Sequence, residues 1–312
     1  MRILFMGTPD FALLSLKALC EQSGHKICGV ITQPDKPRGR GYALMPPPVK
    51  AYALQKGIPV YQPDTLRGEK FDTLLNRLDP ELIAVVAFGK ILPLNVIDYP
   101  KYGCINVHGS LLPEYRGAAP MQRAIIDGKK VTGVTIMYMA EGLDTGDMLL
   151  KAEFPILPNH NFEDIHDGLG VLGAETLIKT IEKMKEGSLA PEKQDDSLSS
   201  YAAKIEKSDC LIDFGKEACA IHDLIRGLSP IPLSFTHTPD GKLLKIVKSK
   251  VVDAECENAV TPGTVVSVDG TITVACGEGK IELLTVVPEG KSKMSGSDFI
   301  RGRKIQKGDV LK

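Results

Sequence analysis

The sequence lacks the cysteine spacing that marks a disulfide framework or a structural zinc site. It has seven cysteines, an odd number, and no two of them are separated by only two residues. Disulfide-rich domains carry even sets of cysteines, and zinc sites carry closely spaced pairs. The cysteines therefore indicate reduced thiols in a cytosolic protein, and they predict no metal site.

Neither an excess of one charge nor a long apolar run is present. The formal net charge is -1 at pH 7, so any binding of nucleic acid has to depend on local patches. No apolar run approaches the ~20 residues of a membrane-spanning helix. The first strand-like residues lead directly into Gly7, without the pattern of a secretory signal. We therefore expect a protein of the cytosol that does not enter a membrane.

The common phosphate-binding motifs are also missing after the first predicted strand. The turn Gly7-Thr8-Pro9-Asp10 has proline where the dinucleotide motif G-x-G-x-x-G needs its second glycine. No Walker A sequence occurs elsewhere. The sequence therefore disfavours a nicotinamide-dependent dehydrogenase and a P-loop enzyme.

Strand-like and helix-like segments alternate through the first half of the 312 residues. Residues 82–88 form a nearly uninterrupted apolar run, which is typical of a parallel strand covered on both faces. Residues 33–48 are rich in proline, glycine and arginine and are expected to be irregular, and residues 163–185 are expected to be helical. This rhythm predicts a Rossmann-like, doubly wound α/β domain with a mostly parallel sheet over residues 1–188.

The composition changes after residue 188. Residues 189–208 are polar and are predicted to form a linker. Short strand-like runs follow, and Asp269-Gly270 between two of them is a strong signal for a hairpin turn. We expect a small C-terminal β-barrel of the oligonucleotide-binding type over residues 209–312.

Three polar side chains carry the chemistry. Asn106 and His108 are two residues apart at the end of a predicted strand, so they share one face of it. Asp144 follows in a Gly-Leu-Asp-Thr-Gly loop. An amide, an imidazole and a carboxylate can together stabilise an oxyanion and move a proton, which points to acyl-type transfer. Each residue alone is also compatible with a structural role.

Basic residues cluster in two places although the charges of residues 209–312 cancel, at 14 against 14. One cluster lies in the proline- and glycine-rich segment, and the other lies at alternate positions of a strand-like run. Such patches are candidates for contacts with RNA phosphates, although solvated surface segments have the same composition. The candidates are Lys36, Arg38, Arg40, Lys248 and Lys250.

Three segments resemble a known family. Residues 106–117, Asn-Val-His-Gly-Ser-Leu-Leu-Pro-Glu-Tyr-Arg-Gly, are similar to the signature of the 10-formyltetrahydrofolate-dependent formyltransferases. Residues 142–147, Gly-Leu-Asp-Thr-Gly-Asp, are similar to the second conserved block of that family. Residues 32–41 resemble the inserted basic loop of the branch that formylates methionine carried on initiator tRNA. The resemblance covers essentially the whole chain and is clearest in the first half.

The resemblance implies that the formyl group of 10-formyltetrahydrofolate passes to the α-amine of methionine on initiator tRNA, without a metal. Asn106 would stabilise the oxyanion, and His108 and Asp144 would move the proton, with the general base undecided between them. Arg40 would reach the acceptor stem of the tRNA. The resemblance also implies a monomer in the bacterial cytosol. The residues expected to lie near the folate are Phe88, Ile91, Leu92, Ser110, Leu111, Leu112 and Pro113.

Two alternatives remain open at this stage. The same three catalytic candidates would serve a hydrolase that uses water, or a formyltransferase acting on an amino sugar nucleotide or on glycinamide ribotide. A non-catalytic RNA-binding module would need none of them. The basic segment and the second domain argue against the first alternative, and the intact triplet argues against the second.

Overall fold

The structure is a computed structural model that describes residues 1–22, 24–38, 43–252, 260–302 and 304–312. Its strands, in chain order, are β1 (Arg2–Gly7), β2 (Lys26–Ile31), β3 (Lys36–Arg38), β4 (Ala43–Met45), β5 (Val60–Tyr61), β6 (Leu82–Val86), β7 (Cys104–His108), β8 (Arg116–Gly117), β9 (Val131–Tyr138), β10 (Met148–Pro155), β11 (Tyr201–Ala202), β12 (Ser234–His237), β13 (Leu243–Val252), β14 (Val265–Ser267), β15 (Ile272–Ala275), β16 (Lys280–Pro288) and β17 (Met294–Ser295). Its α-helices are α1 (Asp10–Glu21), α2 (Pro48–Gln55), α3 (Glu69–Leu78), α4 (Leu94–Ile97), α5 (Pro120–Ile126), α6 (Phe162–Glu186), α7 (Ala218–Gly227) and α8 (Gly296–Arg301).

The chain forms two compact units. The first unit comprises Met1–Gly117, Val131–Pro155 and His166–Ala202, and the second comprises Ala118–Lys130, Ile156–Ile165 and Ala203–Lys312. The domain limits derived from composition, at residues 188 and 209, stay a prediction.

A seven-stranded sheet in the order β10-β9-β7-β6-β1-β2-β5 forms the centre of the first unit. Five neighbouring strands of this sheet, β7, β6, β1, β2 and β5, run parallel to one another. The last two strands, β9 and β10, are antiparallel to their neighbours. All five residues of β6 are buried, as expected for a parallel strand covered on both faces. The predicted Rossmann-like, mostly parallel sheet is therefore confirmed. The carboxyl ends of its parallel strands lie at one edge, where such sheets gather their ligands.

Two local predictions for the first unit were wrong. Residues 33–48 are not wholly irregular, because β3 and β4 pair as a two-stranded antiparallel ribbon. Proline is tolerated in such a ribbon because the free edge of a strand needs no donor, and Pro37 lies in β3. The apolar strand ends at Val86 rather than at residue 88, because Ala87 and Gly89 have φ angles of 45° and 75°, outside the β region.

Helix α6 is long, and its glycines allow it to approach the sheet closely. A Cβ atom on Gly168 would lie 2.3 Å from Cζ of Phe154, and one on Gly173 would lie 2.9 Å from Cγ1 of Val107. Glycine lowers helix propensity, so these positions weaken the helical pattern in the sequence. Their cost is offset by close packing of the helix against β7 and β10. None of the helices found among the described residues is long and apolar enough to cross a membrane.

The second unit contains an antiparallel sheet in the order β12-β13-β16-β15-β14, with β17 paired to β16. The predicted hairpin is present as β14 and β15, and Gly270 takes a φ of 75° in the turn between them. The core of this unit is formed by buried apolar side chains, among them Ile246, Ile281 and Phe299. The unit has an antiparallel half-barrel arrangement, which confirms the predicted C-terminal β-barrel class.

Candidate active site

Asn106 and His108 lie on β7, the last of the parallel strands. Asn106 is aligned with Val85 of β6 and Met137 of β9, and His108 is aligned with Thr135 of β9. Because side chains alternate along a strand, the amide and the imidazole lie on the same face, near the carboxyl end of β7. The strand prediction therefore placed these two functional groups correctly relative to each other.

Asp144 lies in the loop between β9 and β10, whose shape depends on two glycines. A Cβ atom on Gly142 would lie 2.4 Å from Oγ1 of Thr145, and one on Gly146 would lie 1.8 Å from the carbonyl oxygen of Tyr138. Asp144 itself has a φ of 51°, in the left-handed region that aspartate tolerates better than most residues. Steric exclusion at the glycines therefore gives this loop its tight course around Asp144.

The structure brings His108 and Asp144 together. Nδ1 of His108 lies 3.5 Å from Oδ2 of Asp144, and the imidazole is only 6% exposed. Nε2 of His108 lies 2.9 Å from the carbonyl oxygen of Tyr115. A carbonyl oxygen can only accept, so the hydrogen-bond partners assign a hydrogen to Nε2. A hydrogen bond between His108 and Asp144 then requires one further proton, either on Nδ1 or on the carboxyl group.

The backbone of residues 115–117 contacts both His108 and Asp144. The carbonyl of Tyr115 accepts from His108, and the N–H of Gly117 donates to Oδ2 of Asp144 over 2.8 Å. Gly117 has a φ of 119°, and a Cβ atom there would lie 2.8 Å from the carbonyl oxygen of Ala202. The close approach of these chain segments therefore requires glycine at this position.

Gln194 is a residue of the site that the sequence did not reveal. It is only 6% exposed, although it lies in the polar stretch that was predicted to be a linker. Its Nε2 donates to the carbonyl oxygens of Asp144 and Gly146, each over 2.8 Å. Its Oε1 accepts from Nε of Arg116 over 2.9 Å. Nothing in the periodicity of this stretch marks a single buried glutamine, because its neighbours are polar too.

The loop after β7 is fixed by hydroxyl groups. Oγ of Ser110 donates to the carbonyl oxygen of Glu114 over 2.7 Å. Oγ1 of Thr135, on β9, donates to the carbonyl oxygen of Ser110 over 2.8 Å and accepts from the N–H of Leu112 over 3.1 Å. These bonds hold the predicted folate-binding loop against the sheet.

The apolar side chains of that loop lie in different surroundings. Leu112 is buried in a small cluster with Met137. Leu111 packs over Gly133, whose missing side chain leaves room for it. Pro113 is half-buried. Their predicted contact with folate stays a prediction.

The other three predicted folate residues follow β6. Phe88 and Leu92 are buried in the core of the first unit, whereas Ile91 is 88% exposed. The carbonyl oxygen of Phe88 accepts from Nε2 of Gln33 over 3.1 Å, which ties this loop to the loop after β2. Of the three, Ile91 is the side chain that is presented to solvent.

The basic segment forms the ribbon of β3 and β4. Lys36 is exposed and is aligned with Met45, and the backbone of Arg38 is aligned with Ala43. Arg40, the predicted contact to the acceptor stem, lies outside the described residues.

The base of this ribbon is fixed by a polar network. Nζ of Lys50 lies 2.8 Å from both carboxylate oxygens of Asp35. Nε2 of Gln62 donates to Asp35 over 2.9 Å and to the carbonyl oxygen of Gln33 over 2.7 Å. Hydrogen bonds from Lys50 and then from Gln62 hold the pKa of Asp35 below its usual range. The chain is therefore fixed just before the first predicted cation, Lys36.

The two lysines predicted in the second unit share a face of β13. Lys248 and Lys250 are exposed, and Ser249 between them is buried. Lys248 is aligned with Thr285 and Lys250 with Glu282 on the neighbouring strand β16. Lys250 therefore has an acidic residue opposite it, which reduces the local positive charge.

The histidine, cysteine and acidic side chains of the described residues do not form a metal site. Within the described ranges, no group of three or more histidine, cysteine or acidic residues could hold a metal ion. None of the six described cysteines is joined in a disulfide, and Cys256 lies outside the described residues. Burial raises the pKa of the Cys104 thiol, the cysteine nearest to Asn106.

Comparisons with known proteins assign the chain to a family. The sequence profile of the family described as Formyl transferase matches residues 1–181, and that of Formyl transferase, C-terminal domain, matches residues 204–304. A protein of Caldanaerobacter subterraneus subsp. tengcongensis named methionyl-tRNA formyltransferase is 49% identical over 100% of both chains. A protein of the same name from Citrifermentans bemidjiense is 47% identical over 100% of this chain and 96% of its own.

A solved structure shares the fold. The N-formyltransferase from Helicobacter canadensis, in complex with folinic acid and dTDP-3-aminofucose, has a TM-score of 0.66. The likeness covers 90% of this chain and 98% of that one, at 19% sequence identity. This likeness supports the architecture, while the relatives at 47–49% identity define the family. The chain therefore belongs to the formyl transferase family, and it aligns along its whole length with methionyl-tRNA formyltransferases of that family.

Proposed function

We propose that this protein transfers the formyl group of 10-formyltetrahydrofolate to the α-amine of methionine on initiator tRNA. The observation that carries the proposal is the convergence of Asn106, His108 and Asp144 at the carboxyl edge of the parallel sheet. The product, N-formylmethionyl-tRNA, starts translation in bacteria. The bacterial relatives that carry the name of this activity support the proposal.

The nucleophile is the neutral α-amine of the methionyl ester. An ordinary α-amino group has a pKa of ~7.7–8.0, so a usable neutral fraction exists near pH 7. The amine nitrogen attacks the formyl carbon, and a tetrahedral oxyanion forms. The Asn106 amide donates a hydrogen bond to this oxyanion, and one such donor is worth roughly 10²–10³ in turnover.

Completion of the transfer requires a proton to leave the amine and another to reach N10 of the folate. The new C–N bond has formed at that stage, and the bond from the formyl carbon to N10 breaks. His108 and Asp144 lie 3.5 Å apart and can hold one proton between them. They act as one unit that takes the amine proton and returns a proton to N10. No metal takes part in any of these steps.

The basic ribbon binds the tRNA. Lys36 and Arg38 of the ribbon, and Arg40, which follows them in the sequence, contact phosphates near the acceptor end, and Lys248 and Lys250 contribute contacts from the second unit. Support comes from the exposure of Lys36 and from the Lys50–Asp35 anchor at the base of the ribbon. The folate lies along Ser110, Leu111, Leu112 and Pro113, close to Phe88, Ile91 and Leu92. We place the reaction in the bacterial cytosol, where charged tRNA is found, and we expect a monomer.

A sugar-nucleotide acceptor is the second candidate, because the solved structure from Helicobacter canadensis carries dTDP-3-aminofucose on the same fold. The test is an acceptor comparison with 10-formyltetrahydrofolate as the donor. The rate of formyl transfer is measured with each of five acceptors and with water alone. The acceptors are methionyl-tRNA, uncharged tRNA, free methionine, an amino sugar nucleotide and glycinamide ribotide. We expect transfer to methionyl-tRNA only. Turnover of the donor without formylated tRNA would refute the proposed acceptor and would favour one of the alternatives.

A further inference from the structure

Gln194 uses both hydrogens of its amide on the loop that carries Asp144, and its amide oxygen on Arg116 of β8. Both hydrogens of a primary amide can donate, and its oxygen can accept. Here Nε2 donates to the carbonyl oxygens of Asp144 and Gly146, and Oε1 accepts from Arg116. The side chain is 6% exposed, so these bonds are shielded from competing water.

The chain that follows Gln194 is bonded, through Ser200, to the residues that contact His108 and Asp144. Oγ of Ser200 accepts from the N–H of Tyr115 over 2.8 Å, and its carbonyl oxygen accepts from the N–H of Arg116 over 2.9 Å. Tyr115 in turn accepts from His108, and Gly117 donates to Asp144. The polar stretch therefore contacts the supports of both His108 and Asp144.

We propose that Gln194 is a positioning residue that sets the orientation of the Asp144 carboxylate towards His108. The inference deepens the proposed function and rests on it. Asp144 has a left-handed backbone, which costs energy for a residue other than glycine and persists only where the surroundings hold it. The two hydrogen bonds from Gln194 fix the carbonyls on either side of Thr145, and therefore fix the direction in which the Asp144 side chain leaves the loop.

The chemistry of the glutamine amide suits this task. A glutamate at this position would still accept from Arg116. Its second carboxylate oxygen would replace the amide nitrogen and would face the carbonyl oxygens of Asp144 and Gly146, to which it has no hydrogen to donate. A methionine has a similar length but neither donors nor an acceptor. Both substitutions would release the loop without removing an atom that touches either substrate. A displacement of about 1 Å at a catalytic group lowers turnover by up to roughly 100-fold.

The test measures formyl transfer by Gln194→Met, with Gln55→Met as the control at an exposed glutamine of the first unit. We expect kcat of Gln194→Met to fall roughly 10- to 100-fold while KM for both substrates stays unchanged. The control keeps native kcat. A loss of fold alone would instead lower the concentration of active sites and the melting temperature. If Gln194→Met does not fold, Gln194→Glu carries the same test, because it keeps the size and the bond to Arg116.

A double-mutant cycle tests whether Gln194 acts through Asp144. In the Asp144→Asn background, the further change Gln194→Met is expected to have little effect. Independent sites would instead give losses that multiply within about a factor of two. Multiplying losses, or a Gln194 variant with native kcat, would overturn the proposal.

A second readout needs no substrate. The pH titration of the His108 imidazole nitrogens, followed by NMR, is expected to change in Gln194→Met and to stay native in Gln55→Met. An unchanged His108 titration would overturn the positioning role. If the native protein forms no formylated tRNA, the proposed function fails, and this titration still decides whether Gln194 orients Asp144.

Discussion

Nδ1 of His108 lies 3.5 Å from Oδ2 of Asp144, while Nε2 of the same ring is bonded to the carbonyl oxygen of Tyr115. The backbone carbonyl accepts the hydrogen on Nε2, so Nδ1 is the ring nitrogen that faces the Asp144 carboxylate. The structure therefore places the imidazole beside a carboxylate, and the amide of Asn106 lies on the same strand as the imidazole. The proposed acyl transfer to an amine uses these three groups, the amide as oxyanion donor and the other two for proton transfer.

Replacement of Asp144 by asparagine removes the charge of this pair and keeps the size of the side chain. The amide oxygen can still accept from the N–H of Gly117, so the loop is expected to keep its course. We expect kcat to fall by roughly 10²–10⁴ with little change in KM for folate. Steady-state kinetics and thermal melting test this. Native turnover in Asp144→Asn would show that the carboxylate has no part in proton transfer.

Replacement of Asn106 by alanine removes the proposed oxyanion donor. We expect kcat to fall by roughly 10²–10³ and binding of folate to persist, because the donor acts mainly on the developing oxyanion. Asn95→Ala is the matched control, since Asn95 is exposed and its side chain donates to Oδ1 of Asp72 at the surface. Equal rates for the two variants would contradict the assignment of Asn106.

Lys50→Met tests the anchor at the base of the basic ribbon. It removes the hydrogen bonds from Nζ to Asp35, which stabilise the ordered ribbon by about 1 kcal/mol. If tRNA binds the ordered ribbon, this loss raises KM for tRNA roughly fivefold. KM for folate should not change. Lys56→Met is the control, because Lys56 pairs with Glu21 at an exposed site. A native KM for tRNA in Lys50→Met would show that this anchor does not contribute to binding.

The pH dependence of this anchor follows from Asp35. The pKa of its carboxyl group is lowered in the folded protein, first by Lys50 and then by Gln62. The carboxylate therefore stabilises the fold above its unfolded pKa, and this contribution disappears as the pH falls through the lowered folded value. Asp35 therefore stays ionised near neutral pH. We consequently expect that small changes of pH in this range do not alter KM for tRNA through Asp35.

Gly146→Ala tests the steric argument for the Asp144 loop. The added Cβ atom would lie 1.8 Å from the carbonyl oxygen of Tyr138, so the backbone must move. We expect a loss of about 1–3 kcal/mol in the free energy of unfolding and a lower kcat. Gly302→Ala is the control, because its Cβ atom would lie 3.3 Å from the carbonyl oxygen of Phe299, a tight contact that a small shift relieves. Calorimetry and kinetics measure both effects; a native melting temperature in Gly146→Ala would contradict the model of a sterically fixed loop.

The parts of the site that could be predicted are those encoded by local patterns. The alternation of residues along β7 places Asn106 and His108 on one face without any knowledge of the tertiary structure. Apolar runs and helix-like segments in turn predict the parallel sheet. The roles assigned to the site residues stay predictions, because neither the geometry nor the family relationship measures them.

Contacts between distant segments could not be predicted. Gln194 reaches the carbonyl of Asp144 across 50 residues, and no periodicity distinguishes it from its polar neighbours. The ribbon of β3 and β4 was missed because proline and glycine are typical of irregular segments. The hydrogen bond between His108 and Tyr115 depends on a turn of the chain after β7, which the pattern of residue types does not specify.

The most direct measurement is single-turnover formyl transfer from 10-formyltetrahydrofolate to methionyl-tRNA by the native protein and by His108→Ala, with free formate counted in the same reaction. We predict formylated tRNA from the native protein and a loss of roughly 10²–10⁴ in rate for His108→Ala, with folate still bound. Formylation at the native rate by His108→Ala, or release of formate without formylated tRNA by the native protein, would contradict this account.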